Sequence, residues 1–374
     1  MEMEMKKLGF GTMRLPVLNQ EDPAAVDLEQ VCQMVDTFME RGFTYFDTAY
    51  MYHKYESERV VKRALTERWP RERYVLADKL PLSHLKEEAD MERFFREQLE
   101  KCGVAYFDYY MLHNMSRSYY ETAERLGAFE FVCRKKEGGK VRRIGFSFHA
   151  DAELLEEILE KHPEVDFVQL QLNYIDWDSP NIQSRQCYEV CRRYGKDVIV
   201  MEPVKGGMLA NPPESVQEIF KKAEPNASCA SWAIRFAADL DGIITVLSGM
   251  SNMEQMEDNL SYMKDFTGLS KEEKQTLDEA REALNRIPLI PCTTCNYCAK
   301  VCPMDIGISG SFTALNYLTL YKDKGAAKHQ EDWLVGGHGR KLASECIKCG
   351  KCEEVCPQHI SIREELVRVT ESLA

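Results

Sequence analysis

The 374-residue chain has no apolar run approaching the roughly 20 residues that a membrane helix needs, so a membrane-spanning role is not expected. Its opening segment, Met1-Glu2-Met3-Glu4-Met5-Lys6-Lys7, is charged and lacks the apolar stretch of an export signal, which makes a cytoplasmic protein the expectation. Glycine and proline, at 21 and 14, are too ordinary for a collagen-like, low-complexity or wholly disordered chain. Positive charge is scarce: 48 Lys and Arg face 61 Asp and Glu, a net charge of -13, which argues against a predominant nucleic-acid-binding role and leaves room only for a local basic patch; neither a nucleic-acid nor a membrane partner is expected. No G-x-G-x-x-G occurs, which disfavours an open doubly wound dinucleotide-binding sheet.

What the chain has in excess is cysteine, and it is unevenly placed. Cys32, Cys102, Cys133, Cys187, Cys191 and Cys229 are scattered, and they read as small buried hydrophobes; Cys187 and Cys191 lie one helical turn apart on an apolar stripe. The other eight form two copies of C-x2-C-x2-C-x3-C-P: Cys292, Cys295, Cys298, Cys302 with Pro303, and Cys346, Cys349, Cys352, Cys356 with Pro357. With no sign of export, a disulfide framework is not expected. A structural zinc site is the competing reading, but it generally uses two separated pairs of ligands. Three cysteines at x2 spacing and a fourth before proline is the bacterial [4Fe–4S] run. Residues 288–366 resemble the two-cluster ferredoxins. In such runs the fourth cysteine ligates the other cluster. One cluster would then use Cys292, Cys295, Cys298 and Cys356, and the other Cys346, Cys349, Cys352 and Cys302, with self-contained ligation as the alternative.

Between residues 7 and 250, short β-branched or aromatic runs alternate with amphipathic helical stretches. The expected strands are Leu8–Met13, Phe43–Thr48, Tyr74–Lys79, Phe107–His113, Arg143–Ser147, Phe167–Leu172, Val198–Glu202 and Gly242–Leu247. Intervening patterns follow the 3.6-residue period, as in Val31, Met34, Val35, Phe38, Met39, in Met91, Phe94, Phe95, Leu99, Cys102, and in Leu154, Leu155, Ile158, Leu159, the last opened by Asp151 as N-cap. Eight strands alternating with helices indicate an α/β fold, a (β/α)8 TIM barrel. Asn252–Lys264 and Ser270–Arg286 read as further helices, with Ser270 and Glu273 as a capping box. Ile287-Pro288-Leu289-Ile290-Pro291 reads as a stiff connector. The 43 residues between the cysteine runs look helical or irregular, so the tail is expected to be a mainly α-helical two-[4Fe–4S] ferredoxin-like domain. The expected domains are 1–286 and 287–374.

In a barrel of this kind chemistry sits at the C-terminal strand ends. Asp47, Lys79 and His113 fall there, and Tyr52 follows Asp47 by five residues. Carbonyl reduction leaves negative charge on oxygen, which needs a proton from a positioned group. Tyrosine is a poor acid, with an ordinary pKa of about 10. A neighbouring ammonium lowers that value and a carboxylate orients the ammonium. Asp47, Tyr52, Lys79 and His113 are the set this logic requires.

Over residues 6–285 the chain resembles the aldo-keto reductases, matching all four positions of their catalytic tetrad. The resemblance implies a bound NAD(H) or NADP(H). It assigns cofactor contacts to Gly11, Thr12, Met13, Asp47, Ser147, Gln169, Met201, Pro203, Val204, Gly207, Ser248, Gly249, Met250, Gln255 and Asn259. Phe148 stands where the family usually has asparagine, and Met201 where it usually has an aromatic residue. Ser248-Gly249-Met250 brings no cation for a 2′-phosphate, so NADH is expected to bind at least as well as NADPH. Met13, Arg14, Tyr50 and Trp177 fall near the pocket by position. The whole architecture is similar to the ferredoxin-bearing subgroup of the family.

The leading reading is therefore an NAD(P)H-dependent oxidoreductase coupling hydride chemistry on a small carbonyl or alcohol to electron transfer through two [4Fe–4S] clusters. A one-electron partner, a ferredoxin or a flavoprotein, is expected. No flavin motif is evident, although a flavin or a radical-stabilising substrate is one way to split a hydride pair. The alternatives are a simple carbonyl reductase with structural or redox-sensing clusters, and a retired enzyme acting as a nucleotide-sensing module.

Overall fold

The computed structural model describes residues 5–19, 22–179, 182–290, 292, 296–356 and 360–374. Cys295, Pro291 and Pro357 lie outside the described residues. The chain forms two compact units: residues up to 211 together with 223–277, and 212–222 together with 278–374.

The first unit holds a closed barrel of eight parallel strands in sequence order. They are β1 (Leu8–Gly11), β2 (Tyr45–Asp47), β3 (Val75–Leu80), β4 (Phe107–Met115), β5 (Val141–Phe148), β6 (Phe167–Gln171), β7 (Asp197–Met201) and β8 (Ile243–Ser248). All eight expected strands are present. β1 ends early because Thr12 and Met13 enter a 3-10 turn, Thr12–Arg14. β4 runs past His113 to Met115, with a register irregularity between Leu112 and Met115.

Strand alternation decides what faces the interior. Tyr45, Ala77, Tyr109, Met111, Phe167, Ile199 and Leu247 pack together as one apolar cluster inside the barrel. Two residues further along the same strands come Asp47, Lys79, His113, Gln169 and Met201. The interior thus changes from apolar to polar toward the C-terminal strand ends. The opposite faces, with Phe10, Phe46, Leu76, Phe146, Val168 and Val200, join the helical layer in a larger apolar core.

The helices behave as their patterns require. Val31, Met34, Val35, Phe38 and Met39 are the buried face of Leu28–Glu40. Asp151 caps Ala152–Lys161 by accepting from the Leu154 N–H at 2.9 Å. The capping box before Lys271–Asn285 closes both ways: Ser270 N–H donates to Glu273 Oε2 at 2.7 Å, and Glu273 N–H donates to Ser270 Oγ at 3.1 Å.

The second unit is helical, with Ile308–Tyr321, Lys324–Leu334 and Ile362–Leu373 as its long helices and Tyr297–Val301 and Lys351–Glu354 as short ones. Among its described residues the β pairing is limited to an isolated bridge between Ile306 and Lys341. Its core joins Phe312, Leu315, Ile362, Leu366 and Val369 to several of the cysteines.

Interior crowding makes one glycine indispensable. A Cβ on Gly145 would lie 2.4 Å from the Phe167 carbonyl oxygen and 2.8 Å from its ring. Gly145→Ala should destabilise the barrel by about 1–3 kcal/mol, read as a lower denaturation midpoint with an unchanged slope; an unchanged midpoint would contradict this packing.

Candidate active site and cysteine cavity

The β2–β4 strand ends bring three candidate residues into direct contact. Lys79 Nζ donates to Asp47 Oδ1 at 2.5 Å, to the Thr48 carbonyl at 2.8 Å and to the Tyr52 hydroxyl at 3.3 Å. Lys79 is fully buried and Asp47 nearly so. The His113 ring stands edge-on to the Tyr52 ring, with centroids 6.0 Å apart. The floor beneath is a chain of hydroxyls: Ser57 Oγ lies 2.7 Å from Thr12 Oγ1 and 2.9 Å from Thr48 Oγ1, while Thr12 Oγ1 donates to the Asp47 carbonyl.

Burial sets the acid–base character of these groups. It lifts the Asp47 carboxyl above its usual range, although Lys79 pulls it back. Burial works against the Lys79 ammonium, but Asp47 and Tyr52 outweigh it and hold Lys79 above its ordinary value. Burial also lifts the Tyr52 phenol, with Lys79 acting in the opposite direction. The expectation of a phenol more acidic than usual is therefore not met: desolvation wins, and Lys79 limits the rise. Burial, then Lys79, hold His113 well below the ordinary histidine range, so its ring is neutral.

The cofactor candidates divide by what their polar atoms already do. Asp47 Oδ2, His113 Nδ1 and Gln169 Oε1 are buried without a hydrogen-bond partner, and all three sit at the polar end of the barrel interior. Orphaned acceptors and donors of this kind fit an amide-bearing ring such as nicotinamide. Gln169 Nε2 approaches Met201 Sδ at 3.5 Å, and Ser147 Oγ accepts from the Asn114 N–H at 2.8 Å. Gly11 lies against the Ser248 carbonyl. Other candidates are committed internally. Asn259 Nδ2 donates to Ser248 Oγ at 2.6 Å and its Oδ1 accepts from the Tyr262 hydroxyl. Gln255 closes the start of helix Met253–Met263 by accepting from Ser251 N–H. Met250 and Pro203 are buried, Val204 is half-buried, and Met13 and Gly207 are exposed. Trp177 packs on Tyr188 and Phe236, and Tyr50 donates to Glu97.

Arg14, placed near the pocket by its sequence position, is exposed and lies against the segments that follow β7 and β8. Its side chain runs along Gly249, near enough that a Cβ there would meet it at 3.2 Å. Its guanidinium pairs with Glu202 at 3.7 Å and approaches Gly206. The aliphatic stem thus covers Gly249, while the charged end lies at Glu202 and Gly206, beyond the end of β7.

In the second unit, Cys302, Cys346, Cys349 and Cys352 line one cavity of about 330 Å³, counting its open mouth. Its other walls include Pro303, Met304, Ile306, Ile308, Ile347 and Leu366. The fourth cysteine of the first run thus stands with the first three of the second. Lys348 N–H donates to Cys346 Sγ at 3.4 Å, the kind of bond that supports a cysteine thiolate. The residues after the second cysteine of each run, Asn296 and Gly350, both adopt left-handed backbone, with φ of 60° and 82°. A single zinc ion would draw its sulfurs to about 2.3 Å from one point. Among the described residues no three His, Cys, Asp or Glu side chains converge in that way. A cavity lined by four cysteines fits an iron–sulfur cluster, where each cysteine meets a different iron. Cys292, Cys298 and Cys356 share the same apolar core, and Cys295 lies outside the described residues. Every described cysteine is free of disulfides.

Residues 7–282 match the model of the aldo/keto reductase family. The chain belongs to the aldo/keto reductase family. Residues 291–360 match a 4Fe-4S dicluster domain, so an iron–sulfur domain follows the reductase domain in the sequence. The chain is 27% identical over 287 residues to the 9,11-endoperoxide prostaglandin H2 reductase of Trypanosoma cruzi (strain CL Brener), covering 75% of this chain and 89% of that one. Its fold is similar to the holo form of aldo-keto reductase AKR11C1 from Bacillus halodurans, at a TM-score of 0.58, 23% identity and 73% and 91% coverage. It is also similar to an aldo-keto reductase from Klebsiella pneumoniae in complex with NADPH, at a TM-score of 0.57, 20% identity and 74% and 90% coverage. No helix among the described residues is long and apolar enough to cross a membrane.

Two measurements probe these sites. Tyr52→Phe should lower carbonyl reduction by about 10²–10⁴-fold, the usual contribution of a positioned acid, with cofactor affinity and iron content unchanged; wild-type turnover removes Tyr52 from the reaction. If the fourth cysteine of the first run ligates the other cluster, Cys302→Ser, examined by anaerobic EPR, should perturb a cluster held by Cys346, Cys349 and Cys352. Damage confined to the cluster of Cys292 and Cys298 would instead mean that each run holds its own.

Proposed function

We propose that this aldo/keto reductase family member reduces a small carbonyl compound with NADH or NADPH and is wired to two [4Fe–4S] clusters that exchange single electrons with a partner protein. The observation that carries the reductase half is the buried Lys79 ammonium touching both Asp47 and Tyr52, with His113 edge-on to the phenol. The cluster half is supported by the cavity that Cys302 completes.

The chemistry supplied by a bound reduced nicotinamide is hydride, and that supplied by a [4Fe–4S] cluster is one electron. The chain's own residues do the rest. Tyr52 places its proton at the carbonyl oxygen. Lys79 stabilises the phenolate left behind, and Asp47 keeps Lys79 charged inside a dry site. The neutral His113 ring orients the carbonyl by hydrogen bonding. Gln169, with an unpaired Oε1, and Ser147 would hold the carboxamide. Gly11, Ser248 and Gly249 let the dinucleotide backbone approach.

Arg14 is already paired with Glu202, and no cation comes from Ser248-Gly249-Met250 itself. NADH should accordingly bind at least as tightly as NADPH. Anaerobic titration with both decides this; a preference of roughly tenfold or more for NADPH would show that a cation from elsewhere in the fold reaches the 2′-phosphate.

The reading as a whole is tested by an anaerobic absorption spectrum with iron and sulfide counts, repeated after adding NADH. About eight irons per chain is the expectation for two four-iron clusters, together with bleaching on NADH. Full clusters that never bleach while a carbonyl is turned over would favour a plain reductase with structural clusters.

A further inference from the structure

Strand β3 carries a carboxyl group where its alternation calls for an apolar one. Leu76 and Leu80 point into the core shared with the helices, and Asp78, between them, is fully buried there. The groups that face it come from every neighbouring element. Glu58 comes from helix Ser57–Val61, and Gln98, Lys101 and Cys102 from helix Glu88–Cys102. Tyr110 comes from β4, and Lys79, Asp47 and Tyr52 lie on the barrel side.

Two carboxyl groups meet here with too little positive charge. Glu58 is as buried as Asp78, and its carboxyl faces that of Asp78. Glu58 Oε2 finds no hydrogen-bond donor. Lys101 stands 3.4 Å from that oxygen but makes its short contact, 2.8 Å, to Glu97. The Cys102 thiol, at 3.7 Å, is a weak donor to Asp78 Oδ2. With Glu58 Oε2 lacking an aligned donor and Asp78 Oδ2 facing only a thiol, this buried pair has room for one proton.

The same groups grip the Lys79 main chain. β2 last pairs with β3 at Asp47 and Ala77, and Lys79 lies beyond that point. Its N–H donates instead to Asp78 Oδ1 at 2.8 Å, and its carbonyl accepts from Gln98 Nε2 at 3.0 Å. Gln98 is fixed in turn, donating to Glu58 Oε1 at 3.0 Å and accepting from the Tyr110 hydroxyl at 2.6 Å.

We propose that Asp78 and Glu58 share one proton and, with Gln98, form a positioning clamp that sets the Lys79 main chain so that Nζ meets Asp47 and Tyr52, while keeping a second negative charge away from the phenol. Burial and the Glu58 carboxyl both push Asp78 well above the usual carboxylate range, in keeping with a retained proton. An ionised Asp78 would raise the Tyr52 phenol further and oppose Lys79. The shared proton stays between the carboxyls and is not delivered to substrate.

The clamp rests on the proposed carbonyl reduction, so the first test is independent of turnover. Infrared spectra of the full-length protein near neutral pH, in H₂O and D₂O, should contain the carbonyl stretch of a protonated carboxyl that both Asp78→Asn and Glu58→Gln remove. Absence of such a band overturns the shared proton. The second test is kinetic. Asp78→Ala should lower kcat by about tenfold or more, with cofactor affinity unchanged. Asp78→Asn, which keeps an acceptor for the Lys79 N–H and offers Glu58 a neutral donor, should restore most of that loss with the wild-type pH profile. Wild-type kcat in Asp78→Ala overturns the clamp, and a displaced pH profile in Asp78→Asn overturns the protonated state. Should Asp78→Ala not fold, Gln98→Met removes the donor to the Lys79 carbonyl and decides the same point. If the wild-type protein reduces no carbonyl, the reductase reading fails, while the infrared band still decides the shared proton.

Discussion

An ammonium group with no access to water is the constraint around which the barrel's upper end is built. Burying Lys79 without compensation would cost several kcal/mol. Asp47, the Thr48 carbonyl and the Tyr52 hydroxyl together supply that compensation. Each condition narrows the sequence. Asp47 must end β2, Tyr52 must return on the following loop, and Thr12, Thr48 and Ser57 must satisfy one another beneath them. The reactive geometry and the local stability are thus the same set of contacts, so a change to either is felt in both.

The barrel reaches this arrangement by a simple device. One apolar layer fills the interior, and the next inward position on β2, β3, β4 and β6 is polar. The apolar layer excludes water from below, which is why burial dominates the acid–base character of Asp47, Tyr52 and His113. The mouth is therefore tuned by what lies under it as much as by the charges within it.

Much of this was legible in the sequence because it is periodic or closely spaced. The eight strands announce themselves by β-branched and aromatic runs, and Asp47, Lys79 and His113 by their place at strand ends. The two cysteine runs are legible from spacing alone. What escaped is what depends on approach between distant segments. Arg14 falls near the pocket by position, but no local pattern encodes that its stem lies on Gly249, beside the neighbouring strand β8, or that its guanidinium pairs with Glu202. Thr12 and Asn259 match a cofactor-binding pattern, yet their side chains are spent on Asp47, Ser57, Ser248 and Tyr262. Asp78 was readable only as a charged residue in a strand, since its burial beside Glu58 needs the helical layer. The rise of the Tyr52 phenol is not legible in the sequence, because spacing gives charge neighbours but not desolvation.

The cysteine cavity has a consequence for how the tail matures. Its four sulfurs come from both ends of a segment in which 43 residues separate Cys302 from Cys346. The cavity exists only once the intervening helices, Ile308–Tyr321 and Lys324–Leu334, have brought those ends together. A nascent chain that has exposed only the first run owns no complete four-sulfur cradle of this kind. If a cluster is held there, its loading waits until the second run has joined the first, and a proteolytic nick between the two helices would threaten the cradle although it touches no cysteine.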